Sequence, residues 1–232
     1  MRDFEGKVVL VTGAGRGAGR AIAQAFAKQG AILAVNDITP INLDETVAGI
    51  REAGAQVKDY IFDIAKRLPA RALVEEIMGD WGRLDILINH ANVRPRASIL
   101  EMDEWDWQRT LDVNLSGAFY LMQSAGRAMR EQGGGALIHI GSSIAGLPGF
   151  NDRAAYWASM AGLLGLSRVA AREFEAYNIR VNMVCTGLAE GSFHPSLEQA
   201  ESYAQVAGLA LFLCSPAAEH IRGQVFNLDG GS

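Results

Sequence analysis

Short apolar runs recur along this chain, each followed by a longer segment whose apolar residues return every three or four positions. "KVVLVT" (Lys7 to Thr12) is brief, rich in β-branched residues and followed by glycines, as a strand buried on both faces of a parallel sheet should be. "GRAIAQAFAKQG" then carries Ala and Phe at helical spacing and closes on Gly30, a natural helix stop. The cycle repeats through "AILAVND", a helix through Val47 and Ile50, "QVKDYIFD", a helix through Leu73 and Ile77, and "LDILINH". It continues with a long helix from about Trp105 to Met129, "GALIHIGSS", a helix from about Ala155 to Tyr177, and "IRVNMV". A helix over roughly Ser202 to Leu213 and a strand in "GQVFNLDGG" complete the pattern. Strands alternating with helices of this length predict βαβ crossovers. No linker, repeat or low-complexity tract interrupts them, so residues 1–232 read as a single doubly wound α/β domain.

Composition narrows the partners. The chain has 232 residues, 49% hydrophobic and 20% charged, enough for a sizeable core. The formal net charge of -5, with no run of Lys and Arg, argues against nucleic acid and anionic membranes. No apolar stretch approaches a membrane span, and the charged start "MRDFEGK" does not read as a signal peptide. Cys185 and Cys214 lack metal or redox spacing and read as reduced core thiols of a cytoplasmic protein. No metal site is expected, because His194 and His220 have no ligand partners at useful spacing.

The segment between the first strand and helix carries the first candidate chemistry. "VTGAGRGAGRA" places Gly13, Gly17 and Gly19 where a tight turn lets backbone approach a pyrophosphate at a helix N-terminus. Asp37 ends the second strand, where a carboxylate accepts from both adenosine ribose hydroxyls and repels a 2′-phosphate. Arg16 beside the glycines pulls the other way, since a guanidinium can hold a 2′-phosphate. With Asp37 in place, NAD is favoured over NADP.

On these residues the sequence resembles the short-chain dehydrogenase/reductase family along nearly its whole length. "TGAGRGAG" matches that family's TGxxxGxG turn, Asp63 its adenine-contacting aspartate, and Asn89 with Ala91 its NNAG segment. Asn114 in "DVNLSGAF" matches its structural and catalytic asparagine. Ser143 precedes Tyr156 by 13 residues, the family's serine-to-tyrosine interval. The resemblance implies a Rossmann-like, seven-stranded parallel sheet flanked by helices. It also implies hydride transfer between a nicotinamide and a small alcohol or carbonyl, and a homo-oligomer, dimer or tetramer, formed through the two long helices.

The implied chemistry needs a tyrosine to exchange the substrate proton, although its ordinary pKa is about 10. A cation one helical turn away favours the phenolate, and the family has a lysine there. In this sequence that position is Met160, whose thioether carries no charge. The NNAG segment reads "NHAN", with His90 and Asn92 as departures; the usual Pro-Gly reads Thr186-Gly187, and "LAEGSFHPSLEQ" is shorter than the family's substrate loop. Met160 also reads simply as core packing, and His90 as a packed residue rather than a replacement base. Arg94, Arg96 and Arg153 are candidate substitute cations, with surface solvation the plainer role; Trp105 and Trp107 read as packing or interface residues. Two functions therefore stand side by side: an NAD(P)-dependent oxidoreductase impaired or altered by Met160, and a nucleotide-binding pseudoenzyme serving as sensor or oligomer subunit.

Overall fold

The computed structural model describes residues 3–142, 151–186 and 197–228, with backbone alone for 197–200. The strands are β1 (Val8–Thr12), β2 (Ile32–Asp37), β3 (Val57–Ile61), β4 (Ile86–Asn89), β5 (Gly135–Ser142), β6 (Ile179–Thr186) and β7 (Val225–Asn227). They form one sheet in the order β3-β2-β1-β4-β5-β6-β7, with every pairing parallel. The helices are α1 (Gly17–Lys28), α2 (Pro40–Glu52), α3 (Arg67–Trp81), α4 (Glu104–Leu111), α5 (Ala118–Glu131), α6 (Ala154–Glu173) and α7 (Leu197–Cys214).

Burial on both sheet faces explains why β1 is apolar throughout. Successive side chains point to opposite faces. Val9 and Val11 pack with Ile22, Phe26, Val206 and Leu213 on one side. Val8 and Leu10 pack with Leu73, Ile77, Leu121 and Met129 on the other. A parallel sheet covered by helices on both faces binds ligands at the carboxyl ends of its strands, where the chain reverses direction across the sheet. Here that point lies between β1 and β4, which are neighbours in space but far apart in sequence.

Three helices differ from the periodicity. The single helix expected over Trp105 to Met129 is α4, a π-helical turn over Asp112–Gly117, and α5. Periodicity alone does not reveal this break, because the apolar spacing is nearly continuous. Asn114 sits inside the widened turn, and such turns often mark functional positions. The helix expected to reach Tyr177 ends at Glu173 and passes through a 3₁₀ turn, Glu175–Tyr177, to Asn178 at φ 57°. The last helix begins at Leu197 rather than near Ser202.

Candidate functional site

At the strand ends lies an open cavity of about 800 Å³. The glycine turn after β1 forms one wall. Gly13 has φ +62°, in the left-handed region that a side chain disfavours. Gly19 is tight for a different reason: a Cβ there would stand 2.2 Å from the Gly13 carbonyl oxygen and 2.6 Å from His90 Nδ1. Arg20 fastens the turn, its guanidinium donating to the Gly15 carbonyl, to Thr46 Oγ1 at 3.1 Å and to Glu45 Oε2 at 2.5 Å. Thr12 ties the turn to β4, its Oγ1 accepting from the backbone N–H of His90 at 3.1 Å and of Ala91 at 3.2 Å. His90 Nδ1 lies 3.2 Å from the Gly13 carbonyl, which can only accept, so this nitrogen carries the proton. Burial pushes the His90 pKa down, so it is a neutral ring bracing the glycine turn.

Two aspartates mark the far end. Asp37 accepts from the backbone N–H of Gly15 at 3.2 Å and of Ile38 at 2.8 Å, which fixes its carboxylate beside the turn. Asp63 is gripped by Arg109 of α4, with both carboxylate oxygens 3.1 to 3.2 Å from the guanidinium. Arg16 is exposed at the N-terminal end of α1.

The opposite wall holds the candidate proton-transfer residue. Tyr156 lies in the first turn of α6, and its phenol meets Ser142 Oγ at 2.8 Å. Burial raises the Tyr156 pKa; the Ser142 hydrogen bond and the charges of Arg94 and Arg153 oppose that rise without cancelling it. Met160 is 1% exposed, in an apolar cluster with Trp157, Leu163, Met183 and Cys185. Asn114 does not touch the phenol. Its Oδ1 accepts from Val93 N–H at 2.8 Å, and its Nδ2 donates to the Val93 carbonyl at 2.9 Å and to Ser159 Oγ at 3.0 Å. The asparagine thereby pins the β4–α4 connection to the start of α6.

Of the residues expected from sequence, Gly13, Arg16, Gly17, Asp37, Asp63, Ala91 and Tyr156 line the cavity. Asn114, Asn89 and Met160 instead line a separate void of about 10 Å³, at the lower limit for one water. The Asn89 side chain turns away from the main cavity toward His139 Nδ1 (3.3 Å) and the Ala118 carbonyl (3.4 Å). Its Oδ1 has no hydrogen-bond partner among the described residues, and neither has His139 Nε2. Burial drives the His139 pKa down to about 3, leaving it neutral at pH 7. Gly19 packs behind the turn rather than lining the cavity. Ser143, Gly187 and most of the short loop fall outside the described residues, and Ser142 is the serine seen against Tyr156.

Sequence reasoning did not single out Thr12, Arg20, Arg109 or Ser142. Arg109 stands five residues before Asn114 on a helix aimed at the strand ends, a signal too general to have found its pairing with Asp63. Arg153 reverses its expected surface role, being only 4% exposed and lining the cavity. Among the described residues no three His, Cys, Asp or Glu side chains cluster to hold a metal. No helix there is long and apolar enough to cross a membrane.

The residues suit a dinucleotide. The glycine turn bares backbone where a Cβ would intrude, α1 begins directly after it, and Asp37 offers an acceptor at the end of β2.

Comparison with known proteins agrees with this geometry. The family profile described as short chain dehydrogenase matches residues 7–202. The 3-oxoacyl-[acyl-carrier-protein] reductase of Thermotoga maritima is 34% identical, covering 98% of this chain and 98% of the relative. The D-threitol dehydrogenase of Mycolicibacterium smegmatis is 35% identical, covering 99% of this chain and 94% of the relative. Among solved structures, an NAD+-bound xylitol dehydrogenase superposes with a TM-score of 0.87 at 27% identity, covering 98% of this chain and 99% of that one.

Proposed function

This chain belongs to the short-chain dehydrogenase family, and on that premise we propose that it is an NAD-preferring oxidoreductase of small alcohols or carbonyls with Tyr156 as proton donor or acceptor. A bound nicotinamide supplies or takes up the hydride. The Tyr156 phenol exchanges the proton of the substrate oxygen, and Ser142 Oγ, 2.8 Å away, holds that phenol in place. Asn114 positions rather than reacts, through its grip on Val93 and Ser159. The observation that carries this reading is one cavity with Tyr156 on one wall and the glycine turn with Asp37 on the other. Its test is hydride transfer, followed by NADH absorbance, over a panel of alcohols and ketones. One observation favours the second reading, a nucleotide-binding pseudoenzyme: Tyr156 has an upshifted pKa and a methionine one turn along α6. NADH binding without turnover of any substrate would decide for it.

NADH is expected to bind roughly tenfold or more tightly than NADPH, because a 2′-phosphate beside the fixed Asp37 carboxylate sets like charges at short range. Calorimetry with both nucleotides checks this. Equal or tighter NADPH binding means that Arg16 dominates.

A homo-oligomer is part of the same reading. Trp105 (69% exposed), Trp107 (40%) and Phe119 (39%) on α4 and α5 leave a large apolar area uncovered, as does Val169 on α6. Light scattering at micromolar concentration is expected to give a dimer or tetramer, and a monomer ends the proposal. Two buried, unbridged thiols, Cys185 and Cys214, support a cytoplasmic setting.

A further inference from the structure

Arg109 reaches the cavity from the last turn of α4 and pairs with Asp63, which lies just beyond the end of β3. The segment carrying Asp63 is itself held from two sides. From β2, the buried Asn36 donates its Nδ2 to the Tyr60 carbonyl at 2.9 Å and to the Phe62 carbonyl at 3.2 Å. From the π-helical turn, Gly117 packs so closely that a Cβ there would stand 2.9 Å from the Ile64 carbonyl oxygen. With the backbone fixed in this way, the direction of the carboxylate depends on what grips its oxygens.

Those two oxygens are not equally engaged. Oδ1 accepts from Arg109 Nη1 and Nη2, both at 3.2 Å, and from the Ala65 N–H at 3.2 Å. Among the described residues, Oδ2 accepts only from Arg109 Nη1, at 3.1 Å, with the exposed Lys66 ammonium 4.0 Å away. A carboxylate oxygen has room for about two donors, so Oδ2 keeps one acceptor position. The cavity at this end is walled by Ile38, Phe62 and Ile64, which are apolar. An apolar slot with one charged acceptor at its edge suits a flat heteroaromatic base bearing an amino group. A carbonyl oxygen at the same place would meet an ionised group that can only accept. The guanidinium fork also holds the carboxylate at two points, which a single ammonium does not do.

We propose that Arg109 is a positioning residue that keeps Asp63 Oδ2 open to the cavity and so makes the site select an amino purine over an oxo purine. The inference rests on the nucleotide half of the reading above and holds with or without turnover at Tyr156.

Calorimetric titration with NADH and with reduced nicotinamide hypoxanthine dinucleotide tests it, because the second carries an oxo group where adenine has its amine. The parent protein is expected to bind NADH roughly ten- to a hundredfold more tightly, the range of a charge-assisted hydrogen bond. Arg109→Met keeps the bulk of the side chain but frees the carboxylate to rotate, and is expected to bring the two affinities within about threefold. Arg109→Lys is expected to leave the ratio low as well, since a point charge does not fix that rotation. Thermal melting establishes that each variant folds. Where Arg109→Met does not, Asp63→Asn carries the test, its amide offering the oxo purine a donor and erasing the preference. Equal binding of the two nucleotides by the parent overturns the assignment. So does a folded variant that keeps the parent's preference. A folded Arg109→Met protein that binds neither nucleotide overturns it too, since Arg109 then shapes the whole site rather than one edge. A parent protein that binds neither overturns the nucleotide reading instead.

Discussion

Met160→Lys is expected to raise turnover by roughly 10²- to 10⁴-fold, the range that general acid–base catalysis supplies, and to move the pH optimum for alcohol oxidation downward. The base in that direction is the phenolate. Burial raises the Tyr156 pKa above its ordinary 10.0, so in the parent protein the rate climbs with pH through the whole neutral and mildly alkaline range. An ammonium one helical turn away stabilises the phenolate and lowers that pKa. Each unit of lowering is worth about 1.4 kcal/mol, a tenfold larger phenolate fraction at any pH well below the pKa. The rise then reaches its plateau at lower pH. Burying the new charge where Met160 is 1% exposed opposes the gain. The small void beside it, lined by Asn89 and Asn114, offers partial relief, because Asn89 Oδ1 has no hydrogen-bond partner among the described residues. The measurement is the pH profile of turnover for both proteins, with thermal melting to confirm that the variant folds. A folded, NADH-binding variant with an unmoved profile means that Tyr156 is not the proton-transfer group.

Gly19→Ala is expected to cost about 1 to 3 kcal/mol of stability, or more, and to abolish measurable nucleotide binding. The added Cβ would stand 2.2 Å from a backbone carbonyl, that of Gly13, and 2.6 Å from the His90 ring. Neither neighbour is the loose end of a flexible side chain. Relief requires the whole turn after β1 to move, and that turn is what shapes the cavity wall against a pyrophosphate. Gly165→Ala is the matched control. It lies exposed in α6 with nothing within 4 Å of an added Cβ, and the change is expected to stabilise by up to about 1 kcal/mol through helix propensity. Thermal melts and NADH titration of both variants check the pair. A Gly19→Ala protein that melts and binds like the parent would mean that the turn is looser than described.

Local pattern along the chain was enough to read the sheet, its parallel sense and several of the residues that line the cavity. Strand and helix periods are local properties, and each is repeated often enough here that all seven strands are legible. Glycines between a strand and a helix, and an aspartate closing the next strand, also sit within one βαβ unit, so Gly13, Gly17 and Asp37 could be read directly. The interval from Tyr156 to Met160 needed nothing beyond the helical repeat.

Tertiary structure decided which way particular side chains face at the strand ends. Neighbouring residues on a strand point to opposite sides, so a one-residue difference separates the cavity from the core. The family resemblance pointed to Ser143, which lies outside the described residues, and Ser142, the last residue of β5, meets the phenol. Asn89, the last residue of β4, turns toward Ala118 and His139, while the next residue, His90, lines the cavity. Long-range pairs were equally invisible. Arg109 reaches Asp63 across 46 positions, and Asn114 reaches Ser159 across 45, because the π-helical turn and the crossovers bring separate segments together. Arg153 shows the same limit most clearly. A charged residue reads as solvated from composition, and only the bridge to Ala97 and the left-handed Asp152 turn it into the cavity beside Tyr156. Local periodicity sets each element; the close approach of chain segments far apart in sequence sets the chemistry at their ends.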